Sequence, residues 1–265
     1  MRIVVKVGTS TLAHTGGRIN IRRMELLCKV LSDLKNAGHQ MVLVSSGAIG
    51  MGVGKLSLSG RPEDMTGKQA AAAVGQCELM YTYDKLFAEY NHTVAQILLT
   101  ADDIQNSRRR KYIKDTLDRL LQWGCLPIIN ENDAVAIDEI GIHTTIGEND
   151  TLSAIVAKLA EADLLVLLSD IDGLYTADPR LDSTATLIPE VTAITEDILA
   201  LAGGTGTSLG SGGMATKLKA ATIAMDAGID MVIMCGENPE NLYAITEGKP
   251  IGTRFVGRSG AHAHP

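Results

Sequence analysis

The stretch Ile3-Val4-Val5-Lys6-Val7-Gly8-Thr9-Ser10 decides the reading of the fold. It is apolar on both alternating faces, interrupted by one lysine, and stops at a glycine turn. A strand with that pattern is covered on both sides, as in a parallel sheet with helices above and below. The same pattern returns at Met41–Val44, Val94–Leu99, Leu126–Ile129, Leu164–Leu168 and Met231–Met234. Helical patterns lie between these runs. Asn20 is placed to cap a helix reaching about Ala37, with Gly38 as its stop. Thr66 to about Tyr90 is long and rich in Ala and Leu. Arg109–Trp123, ended by Gly124, spaces Ile113, Leu117, Leu120 and Leu121 helically, and Asn149–Ala160 and Met214–Ala227, ended by Gly228, complete the series. Strand and helix alternating over the whole length predict an α/β fold, a three-layer αβα sandwich with a mainly parallel open sheet. Two stretches break the rhythm: Asp133–Asp150 reads as two short β segments around Glu139–Gly141, and Asp170–Gly213 as turns with a short hairpin near Leu187–Val191. With no internal repeat or low-complexity linker, one continuous domain with two lobes is expected.

Composition bounds what such a domain does. The 265 residues are 45% apolar and carry 24 Lys+Arg against 31 Asp+Glu, a net charge of -7. Six Tyr, two Phe and one Trp are too few for base-stacking platforms, and an acidic balance speaks against a dedicated nucleic-acid partner. The basic run Arg108–Lys111 reads most simply as capping and solvating a helix face or as joining a subunit contact. No window approaches the roughly 18 apolar residues of a membrane span, and no secretory signal opens the chain. Cys28, Cys77, Cys125 and Cys235 stand far apart without a C-x-x-C pair, so a reducing, cytoplasmic setting is expected. Glycine is in excess, 27 residues, above the usual share of roughly 7%.

Those glycines gather where strands give way to helices. Gly8 follows the first strand, Ser46-Gly47-Ala48 with Gly50, Gly52 and Gly54 follows the second, and Gly203–Gly206 and Gly210–Gly213 precede the helix beginning Met214-Ala215-Thr216-Lys217. Ligands of open α/β sheets sit at these strand ends, and glycine turns at helix starts expose backbone N–H groups to anions. Singly, each loop reads as a tight turn between packed elements. Together with two lysines they point to a polyphosphate. The spacing is neither that of a P-loop nor, by one residue, that of a dinucleotide fingerprint, and protein-kinase signatures are missing. Lys6 inside an apolar strand either snorkels to the sheet edge or meets an anion. Lys217 occupies a first helical turn, where the dipole disfavours a cation unless a phosphate lies between. Asn130-Glu131-Asn132-Asp133 after the fourth strand and Glu148-Asn149-Asp150 at a helix start are ordinary caps and turns taken singly. On the same rim they are placed to hold an amino acid or to orient the lysines.

Six segments occur in an order that resembles a known family: Val5–Ser10, Val44–Ile49, Ile128–Val135, Gly147–Asp150, Ser169–Arg180 and Gly212–Lys217. They are similar to the glutamate 5-kinases of the amino-acid-kinase superfamily. The lysine–glycine start and the D-G-L-Y-x-x-D-P block are shared across the superfamily, whereas N-E-N-D-A-V and G-G-M-x-T-K together are specific to glutamate 5-kinases. The resemblance implies one amino-acid-kinase domain over 1–259, with an N-lobe to about 160 carrying a glutamate site, a C-lobe of about 161–259 carrying a nucleotide site, and a tail at 260–265. It implies the short form, without the C-terminal PUA module of many members. It further implies phosphorylation of the L-glutamate side-chain carboxylate with ATP and Mg²⁺, giving L-glutamyl 5-phosphate for proline biosynthesis.

By the same resemblance Lys6, Lys217 and Asp150 are catalytic, the carboxylate orienting the lysines. Ser46, Asp133 and Asn149 hold glutamate, with Gly47 and Asn130 in support. Lys6, Gly8, Ser169, Asp170 and the segment Ser211, Gly212, Gly213, Met214, Ala215, Thr216 and Lys217 line the nucleotide site, and no metal ligand is assigned. Glu148 departs from the aspartate usual at its position. Implied partners are proline as feedback inhibitor, further copies in a dimer or tetramer, and a glutamyl-phosphate reductase, with no nucleic acid or membrane. The alternatives are another small-carboxylate kinase, for acetylglutamate or aspartate, and a non-catalytic proline or nucleotide sensor. N-E-N-D-A-V weighs against the first, and the presence of both lysines against the second.

Overall fold

The computed structural model describes residues 1–14, 18–135, 149–202 and 213–258. In chain order the elements of the first half are β1 (Arg2–Val7), α1 (Thr9–Leu12), α2 (Ile21–Asn36), β2 (Gln40–Ser45), α3 (Ala48–Lys55), α4 (Met65–Ala88), β3 (Val94–Leu99), α5 (Ala101–Gln105), α6 (Ser107–Gln122) and β4 (Leu126–Glu131). Then come α7 (Asn149–Leu159), β5 (Leu164–Ser169), β6 (Glu190–Val191), α8 (Glu196–Ala202), α9 (Met214–Asp226), β7 (Asp230–Cys235), α10 (Asn241–Thr246) and β8 (Thr253–Phe255). Among the described residues the strands form one sheet in the order β3-β4-β2-β1-β5-β7-β8-β6. Its pairings are parallel except for β8, which runs antiparallel to β7.

Helices cover both faces, and that explains the continuous apolar strands. Side chains alternate along β1. Ile3, Val5 and Val7 enter a core with Met24, Leu27 and Leu31 of α2 and Leu79, Tyr83 and Phe87 of α4. Val4 enters the opposite core, with Leu152 and Val156 of α7 and Leu218 and Ala221 of α9. Lys6, two residues on from Val4, belongs to this second face. The helix boundaries follow their caps. Asn20 accepts from Arg23 N (3.2 Å), Asp64 from Gly67 N (2.7 Å), and Asn106 from the Arg108 and Arg109 amides. The basic run Arg108–Lys111 is thus the start of α6, where Arg109 pairs with Asp103.

Three expectations are revised. The hairpin expected near Leu187–Val191 is reduced to one antiparallel bridge, Leu187 to Tyr175. β6 itself pairs in parallel with β8, because Thr253 Oγ1 bonds both to Leu174 N and to Ile188 O and draws the segment onto that strand. The glycines after Gly47 are not loop: Gly50, Gly52 and Gly54 lie inside α3. A Cβ on Gly52 would stand 1.8 Å from Ala71 O, and one on Gly75 1.7 Å from Ala48 O, so these two glycines let α3 and α4 cross backbone to backbone. The two β segments expected around Glu139–Gly141 lie outside the described residues, and residues 133–135 form a turn.

Candidate active site

The parallel strands β1, β2, β4 and β5 end on one rim, and the helices that leave it open with residues of the expected set. Gly8 is the N-cap of α1, Gly47 that of α3 (φ 100°) and Gly213 that of α9, and none of the three starts is closed by a side-chain hydrogen bond. Their first-turn amides remain donors for an anion. Gly47 sits against the Thr9 side chain, its Cβ position 3.5 Å from Cγ2, so the loops after β1 and β2 touch.

Strand alternation aims Lys6 at the face carried by α7 and α9, and three charges meet there. Lys6 Nζ is 2.6 Å from Asp150 Oδ1, and Lys217 Nζ is 3.2 Å from Asp150 Oδ2. Thr216 Oγ1 donates to the same Oδ2 at 3.1 Å. The Asp150 side chain is 2% exposed, those of Lys6 and Lys217 13% and 8%. Burial alone would push the Asp150 carboxyl up; the two ammonium charges and their hydrogen bonds outweigh it and hold it below its ordinary value. The position of Asp150 in the first turn of α7 helps, because the helix dipole favours an anion there. The expectation for Lys217 is refined: its partner at the helix start is the Asp150 carboxylate.

One residue earlier, Asn149 serves a second cluster. Its Nδ2 lies 2.6 Å from Ser46 Oγ, 2.9 Å from Ser45 O and 3.1 Å from Asn130 Oδ1. Asn130 is buried. Its Oδ1 also accepts from Glu131 N, and its Nδ2 donates to Gln76 Oε1 at 2.9 Å. Ser45 Oγ meets the Tyr83 hydroxyl at 2.9 Å. The amides are therefore one network joining β2, β4, α7 and α4.

The structure brings Lys6, Asp150 and Lys217 together, and Ser46, Asn130 and Asn149 together. Gly8 lies beside the first group, the Lys6 ammonium 3.6 Å from its Cβ position. Asp133 stands apart, in the turn after β4. Burial pushes its carboxyl up against the opposing pull of Arg61. It lines, with Asn132, Glu131, Gln76 and residues of α4 and β3, a cavity of about 360 Å³. Ser169 Oγ donates to Asp170 Oδ1 at the end of β5, and Gly213–Lys217 opens α9. Ser211, Gly212 and Glu148 lie outside the described residues. Among the described residues no three or more His, Cys, Asp or Glu side chains are placed to hold a metal ion. Sequence reasoning missed Gln76. Its signal was an amide at the spacing of the apolar face of α4, with Ala72, Leu79, Tyr83 and Phe87.

A parallel sheet that gathers a buried and a half-buried lysine, a shared buried carboxylate and glycine-started helices at one rim defines an anion-handling α/β protein. Residues 1–235 match the model of the amino acid kinase family. The chain is 54% identical to a glutamate 5-kinase of Clostridium perfringens, over 98% of this chain and 96% of that one. It is 50% identical to a glutamate 5-kinase of Listeria monocytogenes, over 99% and 95%. Among solved structures it resembles an isopentenyl phosphate kinase of T. acidophilum (TM-score 0.66, 18% identity, 96% and 100% covered). It also resembles a UMP kinase of Bacillus anthracis (TM-score 0.66, 16% identity, 97% and 96% covered). The chain belongs to the amino acid kinase family, in its glutamate 5-kinase branch.

Proposed function

We propose that this protein transfers the γ-phosphoryl group of ATP to the side-chain carboxylate of L-glutamate, giving L-glutamyl 5-phosphate and ADP at the head of proline biosynthesis. The observation that carries the chemistry is the pair of lysines, from β1 and from α9, held on one buried carboxylate at the rim. The glutamate substrate is supported by relatives of that name at 50–54% identity.

A glutamate side chain has a pKa near 4.3, so the attacking oxygen is already ionised at neutral pH and needs no general base. The new bond joins that oxygen to the γ-phosphorus, and the bond from phosphorus to the β,γ-bridging oxygen breaks, its electron pair leaving with ADP. The obstacle is charge. Two unit anions 4 Å apart at an effective dielectric near 20 repel by about 4 kcal/mol. Lys6 and Lys217 neutralise the transferring group, and the first-turn amides of α9 add fixed donors. Asp150 fixes both ammonium groups before the substrates arrive, so little reorganisation remains for the reaction itself. Ser46 and Asn149 hold the acceptor end of glutamate, Asn130 and Gly47 support them, and Asp133 offers an anion to the α-ammonium. Ser169, Asp170, Gly8 and the start of α9 line the nucleotide. Mg²⁺ bound with ATP would supply further neutralisation of phosphate charge, and no side chain of this chain is assigned to hold it.

On this reading the residues to about 160 carry the acceptor and those beyond carry the nucleotide. Proline as feedback inhibitor, a dimer or tetramer, and a reductase that consumes the acyl phosphate belong to the same reading and rest on the family. A cytoplasmic setting is supported by four free cysteines; no helix among the described residues is long and apolar enough to cross a membrane. The test is purified protein with MgATP, L-glutamate and hydroxylamine. Hydroxamate and ADP are expected in equal amounts. Hydroxamate with aspartate or acetylglutamate but none with L-glutamate refutes the assignment.

A further inference from the structure

One buried polar group at the rim has no use in the network described above. Gln76 is 9% exposed, and its Oε1 accepts from Asn130. Its Nε2 has no hydrogen-bond partner. A buried amide donor left unmade costs about 1–3 kcal/mol, a strange feature beside amides that are otherwise paired. Gln76 also lines the cavity between α4, β3 and the turn that holds Asp133.

Two further features fix where it stands. Asn130 bridges Asn149 and Gln76, so Gln76 lies one amide farther than Asn130 from the Asp150–lysine centre. Gly75, its chain neighbour, is the contact at which α4 touches the first turn of α3 just after Ser46. The height of Gln76 is thereby tied to the loop that meets the acceptor carboxylate.

We infer that Gln76 is a substrate-binding residue, its Nε2 donating to the α-carboxylate of the bound amino acid while its Oε1 keeps Asn130 oriented. The inference rests on the glutamate reading above. With the side-chain carboxylate at the lysines, the amino-acid end of the substrate extends past Asn130. There it finds an anion for its ammonium, Asp133, and a neutral donor for its carboxylate, Gln76. A neutral donor in this position selects a carboxylate without competing with Lys6 and Lys217 for the phosphoryl acceptor.

The test separates the two ends of the glutamine. Gln76→Glu keeps an oxygen for Asn130 and replaces the donor with an anion; Gln76→Met removes both. Both variants are expected to raise KM for L-glutamate about tenfold or more, the size expected for a lost hydrogen bond to a charged group, with KM for ATP within about twofold. Binding of 4-aminobutyrate, which lacks the α-carboxylate, measured as inhibition against L-glutamate, is expected to change little in Gln76→Met. An unchanged KM for L-glutamate in Gln76→Glu overturns the inference and leaves Gln76 only the support of Asn130. If Gln76→Glu does not fold, Gln76→Met decides: equal losses for L-glutamate and 4-aminobutyrate overturn the inference, and a loss confined to L-glutamate upholds it. Wild-type protein inactive on L-glutamate would instead refute the function beneath it.

Discussion

Replacing Asp150 by asparagine removes the negative charge that Lys6 and Lys217 share while keeping size and shape. The separations of 2.6 and 3.2 Å correspond, at an effective dielectric near 20, to attractions of about 6 and about 5 kcal/mol. Desolvation of three buried ions offsets most of that sum, and removing one partner of such a group typically destabilises by about 3–5 kcal/mol. At about 2 °C per kcal/mol for a chain of this length, Tm should fall by roughly 6–10 °C. The folded-state carboxyl titrates below its ordinary value of 3.8, so its contribution is full above that value and disappears as pH falls through the lower one. The gap between wild type and Asp150→Asn should therefore be constant near neutrality and close only in acid below 3.8. MgATP supplies the missing negative charge, so it should raise Tm more in Asp150→Asn than in wild type, while kcat drops because the ammonium groups are no longer fixed. Melting curves with and without MgATP across pH measure all of this. A variant with wild-type Tm, wild-type response to MgATP and unchanged kcat would show that the carboxylate does not organise the lysines.

Lys217→Met should lower kcat by about 10²–10³ with little change in KM for ATP, the pattern of a contact that strengthens in the transition state; a raised KM with kcat intact would contradict that role. Gly75→Ala puts a methyl 1.7 Å from Ala48 O and 2.4 Å from Gly52 N, so α3 and α4 must part. A loss of about 1–3 kcal/mol or more in urea unfolding, together with a raised KM for L-glutamate, is expected. The Asp133 carboxyl is pushed up by burial, so it takes a proton at a higher pH than an ordinary aspartate and then loses its hold on a cationic amine. KM for L-glutamate should rise as pH falls through that value while KM for ATP stays level, and in Asp133→Asn this pH dependence should vanish.

The parallel sheet was legible because burial on both faces leaves a strong trace: each of the six apolar runs read as strands forms one. Helix ends were legible where a cap stands in the sequence, at Asn20, Gly38, Gly124 and Gly228. The short strands β6 and β8 left no periodicity, since two and three residues carry none; a side-chain bond from Thr253 places them. The run Gly47-Ala48-Ile49-Gly50-Met51-Gly52-Val53-Gly54 looked like a phosphate loop because glycine is a poor helix former. It is helical from Ala48 because contact with α4 through Gly52 and Gly75 overrides propensity, a long-range fact that a local pattern does not contain. In the site, Lys6 announced itself by the cost of burying an ammonium in a strand. The partner of Lys217 came only with the family resemblance and not from local pattern, because Asp150 is distant in sequence and meets it only when α7 and α9 pack on the same face. Gln76 was hidden because an amide in a helix is read as surface unless its spacing with Leu79, Tyr83 and Phe87 is weighed.

The adjacency of Asn149 and Asp150 accounts for how two sites with opposite needs share a rim. Consecutive residues at a helix start are rotated by about 100°, from 3.6 residues per turn, so they face different neighbours although their Cα atoms are bonded through one peptide. Asn149 turns to Ser46 and Asn130, a neutral surface; Asp150 turns to the lysines, which on the proposed reading it holds for a phosphate. On the proposed reading, the spacing between acceptor and donor sites is then set by covalent geometry and by the docking of α7 on β1. Deleting or inserting one residue within the first turn of α7 would rotate the carboxylate off the lysines and the amide off Ser46 together. Both KM for glutamate and kcat should fail at once in such a variant, whereas a point substitution at either position should damage mainly its own side.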